Sequence, residues 1–231
     1  SMFDRLPYEI LWHILTLVTP TDLHQARHTS RVLRDLASHP SFWRDLKLPT
    51  ARIWRVCDLK PVLNSHVEHI RSIKIEGVRD DVVRFLLSAC PNLEHLELNG
   101  WTTLSDHALK YCSPRKLKSL QLLGPYTAID AGALGRFVAQ CPELSELSLA
   151  CLAHIHAPTL ARTISISSQK QASSLRHLTL PTFFRADSPW QVDELWDVCP
   201  RLERLCLLSD SDDVFLAHRE QPPPALTHFS S

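Results

Sequence analysis

The sequence predicts a mixed α/β protein, with an N-terminal three-helix module followed by a solenoid of short parallel strands and outer helices. Three observations predict it. A six-residue apolar motif recurs from residue 70 onward. Stretches of helical periodicity alternate with those motifs. Residues 3–48 lack the motif and carry helix-start signals instead.

The motif spaces leucines at its first, fourth and sixth positions. It occurs at Leu93, Leu96 and Leu98; at Leu117, Leu120 and Leu122; and at Leu144, Leu147 and Leu149. It returns at Leu175, Leu178 and Leu180, and at Leu202, Leu205 and Leu207. Ile70, Ile73 and Ile75 precede them as an isoleucine version. Alternation of leucine with polar residues is what a one-sided strand requires. Such a strand cannot bury its apolar face alone, so the next one must stack beside it in a parallel sheet. Helical stretches are expected between the strands at 80–89, 105–112, 130–140, 157–165 and 191–198, covering the outer side of the sheet.

Cys-Pro stands three residues before the first leucine at Cys90, Cys141 and Cys199. The cysteine would close a helix, and the proline would stop it and launch the strand. Motifs open at residues 70, 93, 117, 144, 175 and 202, spacings of 23 to 31 residues. This pattern resembles the cysteine-containing leucine-rich repeats. The units at 117 and 175 depart from it and are expected to be irregular, most of all in the polar stretch 165–174. Leu226 looks like the opening of a seventh strand, which suggests a longer array or an exposed last strand.

Residues 3–48 read differently. Pro7 suits the first turn of a helix. Thr19 and Asp22 form a capping box that starts a second helix at Pro20, and Thr29 or Ser30 can cap a third. On a helical wheel of residues 8–18, Glu9, His13 and Thr16 share one narrow sector, while the apolar residues span roughly 220°, about twice the stripe of a helix with one buried side. Such a helix has surface left over for another domain or a partner.

Leu6, Pro7, Glu9, Ile10, Leu11, Ile14 and Leu15, then Asp22 and Leu23, Ser30 and Arg31, and finally Phe42, Trp43 and Leu46 together resemble an F-box. The resemblance implies a three-helix module that binds the Skp-type adaptor of a cullin-RING ubiquitin ligase. It further implies that Leu6, Pro7, Ile10, Leu11, Ile14 and Leu15 face the adaptor or support that face, with Leu23, Val32, Leu36 and Trp43 contributing from later helices. Around position 34 the chain departs from the family, which often carries an aromatic there. The expected organisation is an F-box at 3–48, a helical linker at 49–66 packed on both sides and therefore rigid, and about six leucine-rich repeats at 67–231. The implied role is a non-catalytic substrate receptor of an SCF-type ligase. The alternative is a ligase-independent repeat scaffold in chromatin or trafficking.

The remaining composition narrows the choice. Twenty-five basic and 25 acidic residues give zero formal charge, which removes the electrostatic argument for nucleic acid or an anionic membrane. No window approaches 18 consecutive apolar residues, and no signal peptide is expected, because polar residues fall inside the first helix. Seven widely spaced cysteines without a Cys-x-x-Cys suit a reducing compartment, the cytoplasm or the nucleus. Cys90 and Cys141 would sit two strands apart, roughly 10 Å at ~4.8 Å per strand, beyond disulfide reach. His24 and His28 have metal-capable spacing but lack a third ligand, so no metal and no cofactor are expected.

The client face is expected on the polar strand positions: His95, Glu97, Gln121, Glu146, Ser148, His177, Thr179 and Arg204. Trp101, Tyr126, Phe183, Phe184 and Trp190 fall just after strands, and Trp101, Tyr126 and Phe184 join that face as aromatic anchors. This surface has no dominant sign and does not name a client.

Overall fold

The computed structural model describes residues 5–48, 53–99, 104–123, 127–149, 155–168, 173–181, 193–208 and 214–218. Pro7 precedes helix α1 (Tyr8–Thr16). Thr19 caps α2 (Pro20–Ala26) by accepting the Asp22 N–H, and Ser30 caps α3 (Arg31–Ala37) by accepting from Leu33 N–H. These hydroxyls satisfy amides that the first turn of a helix leaves without partners. A short α4 (Ser41–Arg44) leads directly into strand β1 (Asp45–Leu48). The linker expected at 49–66 is helical only as α5 (Val56–Leu63). Before it, Trp54 bridges to Val78, and residues 49–52 lie outside the described residues.

The main sheet has eight strands. They are β1, β2 (Ser72–Glu76), β3 (His95–Asn99), β5 (Ser119–Leu122), β7 (Glu146–Leu149), β8 (His177–Pro181), β9 (Arg204–Leu208) and β10 (Val214–His218), in that order. Every neighbouring pair from β1 to β9 is parallel. Two-residue β4 (Leu104–Ser105) and β6 (Thr127–Ala128) pair separately.

Register keeps the motif positions aligned. Leu46, Ile73, Leu96, Leu120, Leu147, Leu178 and Leu205 lie side by side across the sheet, and all are buried. Behind them run α6 (Asp80–Ala89), α7 (Ala131–Gln140), α8 (Ala157–Ser167) and α9 (Asp193–Val198). Their apolar stripes close the core: Val82, Val83, Leu86 and Leu87 from α6, then Leu134, Phe137 and Val138 from α7.

The Cys-Pro junctions share one geometry. The amides of Leu93, Leu144 and Leu202 donate to the carbonyls of Cys90, Cys141 and Cys199 at 3.2, 3.2 and 3.0 Å. All three thiols are buried. At the entries to β3, β5, β7, β8 and β9, two consecutive amides donate to one carbonyl of the preceding unit. Those of Lys118 and Ser119 reach Glu94, and those of Ser145 and Glu146 reach Lys118. The units are thereby locked at strand entry as well as along the sheet.

Three features differ from expectation. Residues 105–112 form only a 3-10 turn over Asp106–Ala108, with Ser105 as its cap. The start is as read, but β4 and a longer run from Cys112 to Leu117 leave too few residues for a full helix. Asp45–Leu48 was expected within the helical module and instead forms the first strand of the sheet, parallel to β2. The last described strand, β10, returns antiparallel on β9. The seventh strand expected at Leu226 lies outside the described residues.

Candidate docking surface on the N-terminal module

Six of the nine exposed large apolar side chains among the described residues fall between Leu6 and Val32: Leu6, Tyr8, Ile10, Ile14, Leu17 and Val32. Exposure is therefore concentrated on one small module rather than scattered. Ile10, Ile14 and Leu17, at i, i+4 and i+7, share one face of the first helix and the residue that caps it, with 49%, 41% and 75% of their surface exposed. Pro7 is exposed at its head, and Val32 lies on α3, which packs against α1. The contiguous apolar surface foreseen from the wheel is present. Scattered single exposed apolar residues need no explanation, but a contiguous stripe of them does.

Other residues expected at this face lie beneath it. Leu11 and Leu15 of α1, Leu23 of α2, Leu36 of α3 and Trp43 of α4 are all buried. They hold α1 in place and are not available to a partner. Trp12 is half-buried, with its ring 4.5 Å from Phe42 and 4.9 Å from His39, which clamps α1 onto α4. Tyr8 stacks on Trp12 at 5.9 Å and remains exposed. Tyr8 and Leu17 stood in the apolar arc of the wheel, so their signal was there to read.

A polar bolt under Trp43 had no signal in the sequence. The Trp43 indole donates to the Ala37 carbonyl at 2.7 Å. Its ring stacks on His66 at 3.7 Å, with the planes 9° apart. Arg27 of the α2 cap lies 2.8 Å from His66 Nε2. A guanidinium can only donate, so Nε2 accepts and the imidazole proton sits on Nδ1. Burial, then the Arg27 charge, lowers the His66 pKa to about 4. His66 is thus neutral at pH 7 and joins α2 and α4 to the segment after α5. His24 is also lowered, by burial, then by His28 and Arg27.

The polar sheet positions form two lateral rows. One reads Asp45, Ser72, His95, Ser119, Glu146, His177 and Arg204. The other reads Lys47, Lys74, Glu97, Gln121, Ser148, Thr179 and Cys206. Much of this surface is internally paired. Lys74 and Glu97 are 2.5 Å apart, and Glu146 accepts from Ser119 at 3.1 Å and Gln121 at 3.3 Å. Hydrogen bonding to Glu97, then its charge, raises the Lys74 pKa. His177 lies 3.8 Å from Glu203. Trp101, Tyr126, Phe183, Phe184 and Trp190 lie outside the described residues.

The thiols of Cys90, Cys112 and Cys141 are held protonated. Burial pushes Cys90 up to about 12 and also raises Cys141 and Cys112. A reactive cysteine needs an exposed, electropositive setting, which these lack. Cys57 is exposed, and Cys151 lies outside the described residues. The His24 and His28 rings are 5.1 Å apart, and no group of three or more metal-ligating side chains occurs among the described residues. No helix among them is long and apolar enough to cross a membrane.

A family model described as F-box-like matches residues 3–49, which contain α1 to α4 and β1. No curated protein matches the chain. F-box-like domains generally bind Skp-type adaptors, and such a domain suggests an adaptor role in SCF complexes.

Proposed function

We propose that this chain is a non-catalytic substrate receptor of an SCF-type ubiquitin ligase, acting in the cytoplasm or nucleus. In this reading residues 3–48 dock the Skp adaptor and, through it, the cullin and RING subunits. Residues 67–231 are leucine-rich repeats that bind a client on the polar rows of the sheet, and 49–66 is the link between them. The observation that carries the reading is the exposed line of Ile10, Ile14 and Leu17 inside the F-box-like match. Leu6, Pro7 and Val32 of the same module are exposed as well. The client reading rests on the polar rows of the sheet.

The expected energy follows from exposure. Fully burying an isoleucine contributes about 1.5–3 kcal/mol. Ile10 and Ile14 retain nearly half of their surface for a partner. Together they would contribute about 2 kcal/mol to docking, roughly 30-fold in affinity. Ile10→Ser with Ile14→Ser is expected to weaken binding to a purified Skp adaptor by about that factor in calorimetry. Leu6→Ala with Pro7→Ala is expected to weaken it in the same direction. Unchanged affinity in both double variants would overturn the adaptor reading.

A further inference from the structure

The outer helical layer has a gap. Between β2 and β3, between β5 and β7, and between β7 and β8 the chain places helices of 10, 10 and 11 residues. Between β3 and β5 it places a 3-10 turn of three. Helix α7 packs on α8, and α8 on α9, while α6 packs on the 3-10 turn. Beside that turn, against α7, lies a cavity of about 440 Å³. Leu109, Ala133 and Phe137 form its floor, and Lys110, Tyr111 and Arg136 stand on its rim.

Tyr111 is anomalous in two ways. It is 87% exposed, the most exposed large apolar side chain among the described residues. Its φ of 62° lies in the left-handed region, and it is the one described non-glycine residue with positive φ. That region disfavours an aromatic side chain, and at the end of a helical turn it normally selects glycine. Among the described residues the ring's aromatic-face neighbour is Lys110, whose ammonium lies 5.0 Å from the ring centroid. A residue that is both strained and exposed points to a role outside the fold.

We propose that this notch docks a short amphipathic helix of a partner protein, with acidic residues flanking its apolar stripe. The apolar floor and the two flanking elements match the place a helix occupies in the neighbouring units. Two turns of helix, about 11 Å long, would enter beside α7. Tyr111 would close over the apolar stripe, as exposed aromatics do at interface anchors. Lys110 and Arg136 supply the charge. The lining holds two cations against one carboxylate, Asp106, whose charge the 2.7 Å bond from the Asp130 N–H does not remove, so an incoming acid meets a rim of small net positive charge. The inference is independent of the adaptor surface on α1.

The test uses the full chain and a library of fluorescein-labelled twelve-residue helical peptides. Leucine is fixed along one stripe, and the flanking positions are glutamate-rich in one half of the library and lysine-rich in the other. Glutamate-rich peptides are expected to bind at least ten-fold tighter by fluorescence polarisation. Lys110→Glu with Arg136→Glu is expected to reverse that preference. Tyr111→Gly is expected to weaken binding at least five-fold while leaving the melting temperature unchanged or higher, because glycine accepts the left-handed backbone. Equal binding of both halves, no binding, or a preference that survives charge reversal would overturn the proposal. So would self-association of the chain that Tyr111→Gly abolishes, since the occupant would then be a second copy.

Discussion

Trp43→Phe removes the indole N–H that donates to the Ala37 carbonyl and shrinks the ring that stacks on His66. All three residues are essentially inaccessible: Trp43 and Ala37 are 0% exposed and His66 is 3% exposed. The carbonyl left without its donor costs about 1–3 kcal/mol. The smaller ring loses packing and leaves a void, which adds about 1–2 kcal/mol. The sum, about 3 kcal/mol, lowers the melting temperature by roughly 6–12 °C at 2–4 °C per kcal/mol for a chain of this size. Differential scanning calorimetry reads that shift. Because no surface of Trp43 is available to a partner, affinity for the Skp adaptor, measured well below the transition, is expected to stay within about two-fold, under 0.5 kcal/mol. A variant that melts normally yet binds the adaptor ten-fold more weakly would refute the placement of Trp43 beneath the docking face.

Two further perturbations test the interior. Folded His66 has a pKa of about 4 against an ordinary 6.5, so the unfolded chain takes up a proton first as the pH falls. Its contribution is complete above pH 6.5 and is lost as the pH falls through 4, a change on the order of 3 kcal/mol. Denaturant midpoints between pH 7 and pH 4 should show this decline, and His66→Gln, which can still accept from Arg27, should flatten it. In α7, a Cβ at Gly135 would stand 2.7 Å from the Thr163 Cβ and 3.2 Å from the Leu160 carbonyl oxygen. Alanine gains about 1 kcal/mol in helix propensity, but overpacking of about 1–3 kcal/mol is expected to outweigh it. Urea midpoints should fall for Gly135→Ala and recover in part when Thr163→Gly, which removes the clashing Cβ, is added.

The sheet was legible because its physics is local and repeated. Leu96, Leu120, Leu147, Leu178 and Leu205 hold equivalent motif positions, and equal spacing within each motif makes equal register the arrangement that buries them all. Helix α6 runs over the residues that its apolar spacing predicts, and Asp130, read as the start of α7, is its cap. The turn at Asp106–Ala108 replaces the expected helix for a reason the sequence holds only implicitly. Leu104 and Ser105 are drawn into pairing with Thr127 and Ala128, and Asp80 receives both the amide and the hydroxyl of Ser105. That tether depends on residues 25 positions apart, which periodicity does not reveal. The alternation of Asp45–Leu48 is a strand pattern, yet it directly follows the helices of the N-terminal module, and its pairing with Ser72–Ile75 is a tertiary fact. At the docking face, the wheel found the surplus of apolar surface but could not separate Ile10 and Ile14, which are exposed, from Leu11 and Leu15, which are buried. That division depends on where α3 and α4 lie, a tertiary fact. The Arg27–His66–Trp43 stack joins residues far apart in sequence and left no local trace.

Because β1 follows α4 without a break, any cut made after residue 48 strips a strand from the sheet. The remaining piece would present the backbone amides and carbonyls of β2 as an open row, with Ile73 and Ile75 losing the cover of Leu46 and Leu48. Unpaired strands of that kind recruit other chains and aggregate. A chimera built on this chain is therefore best spliced so that 45–48 stays with β2. Donor helices would be joined upstream of Asp45, and the helical module would be the part exchanged.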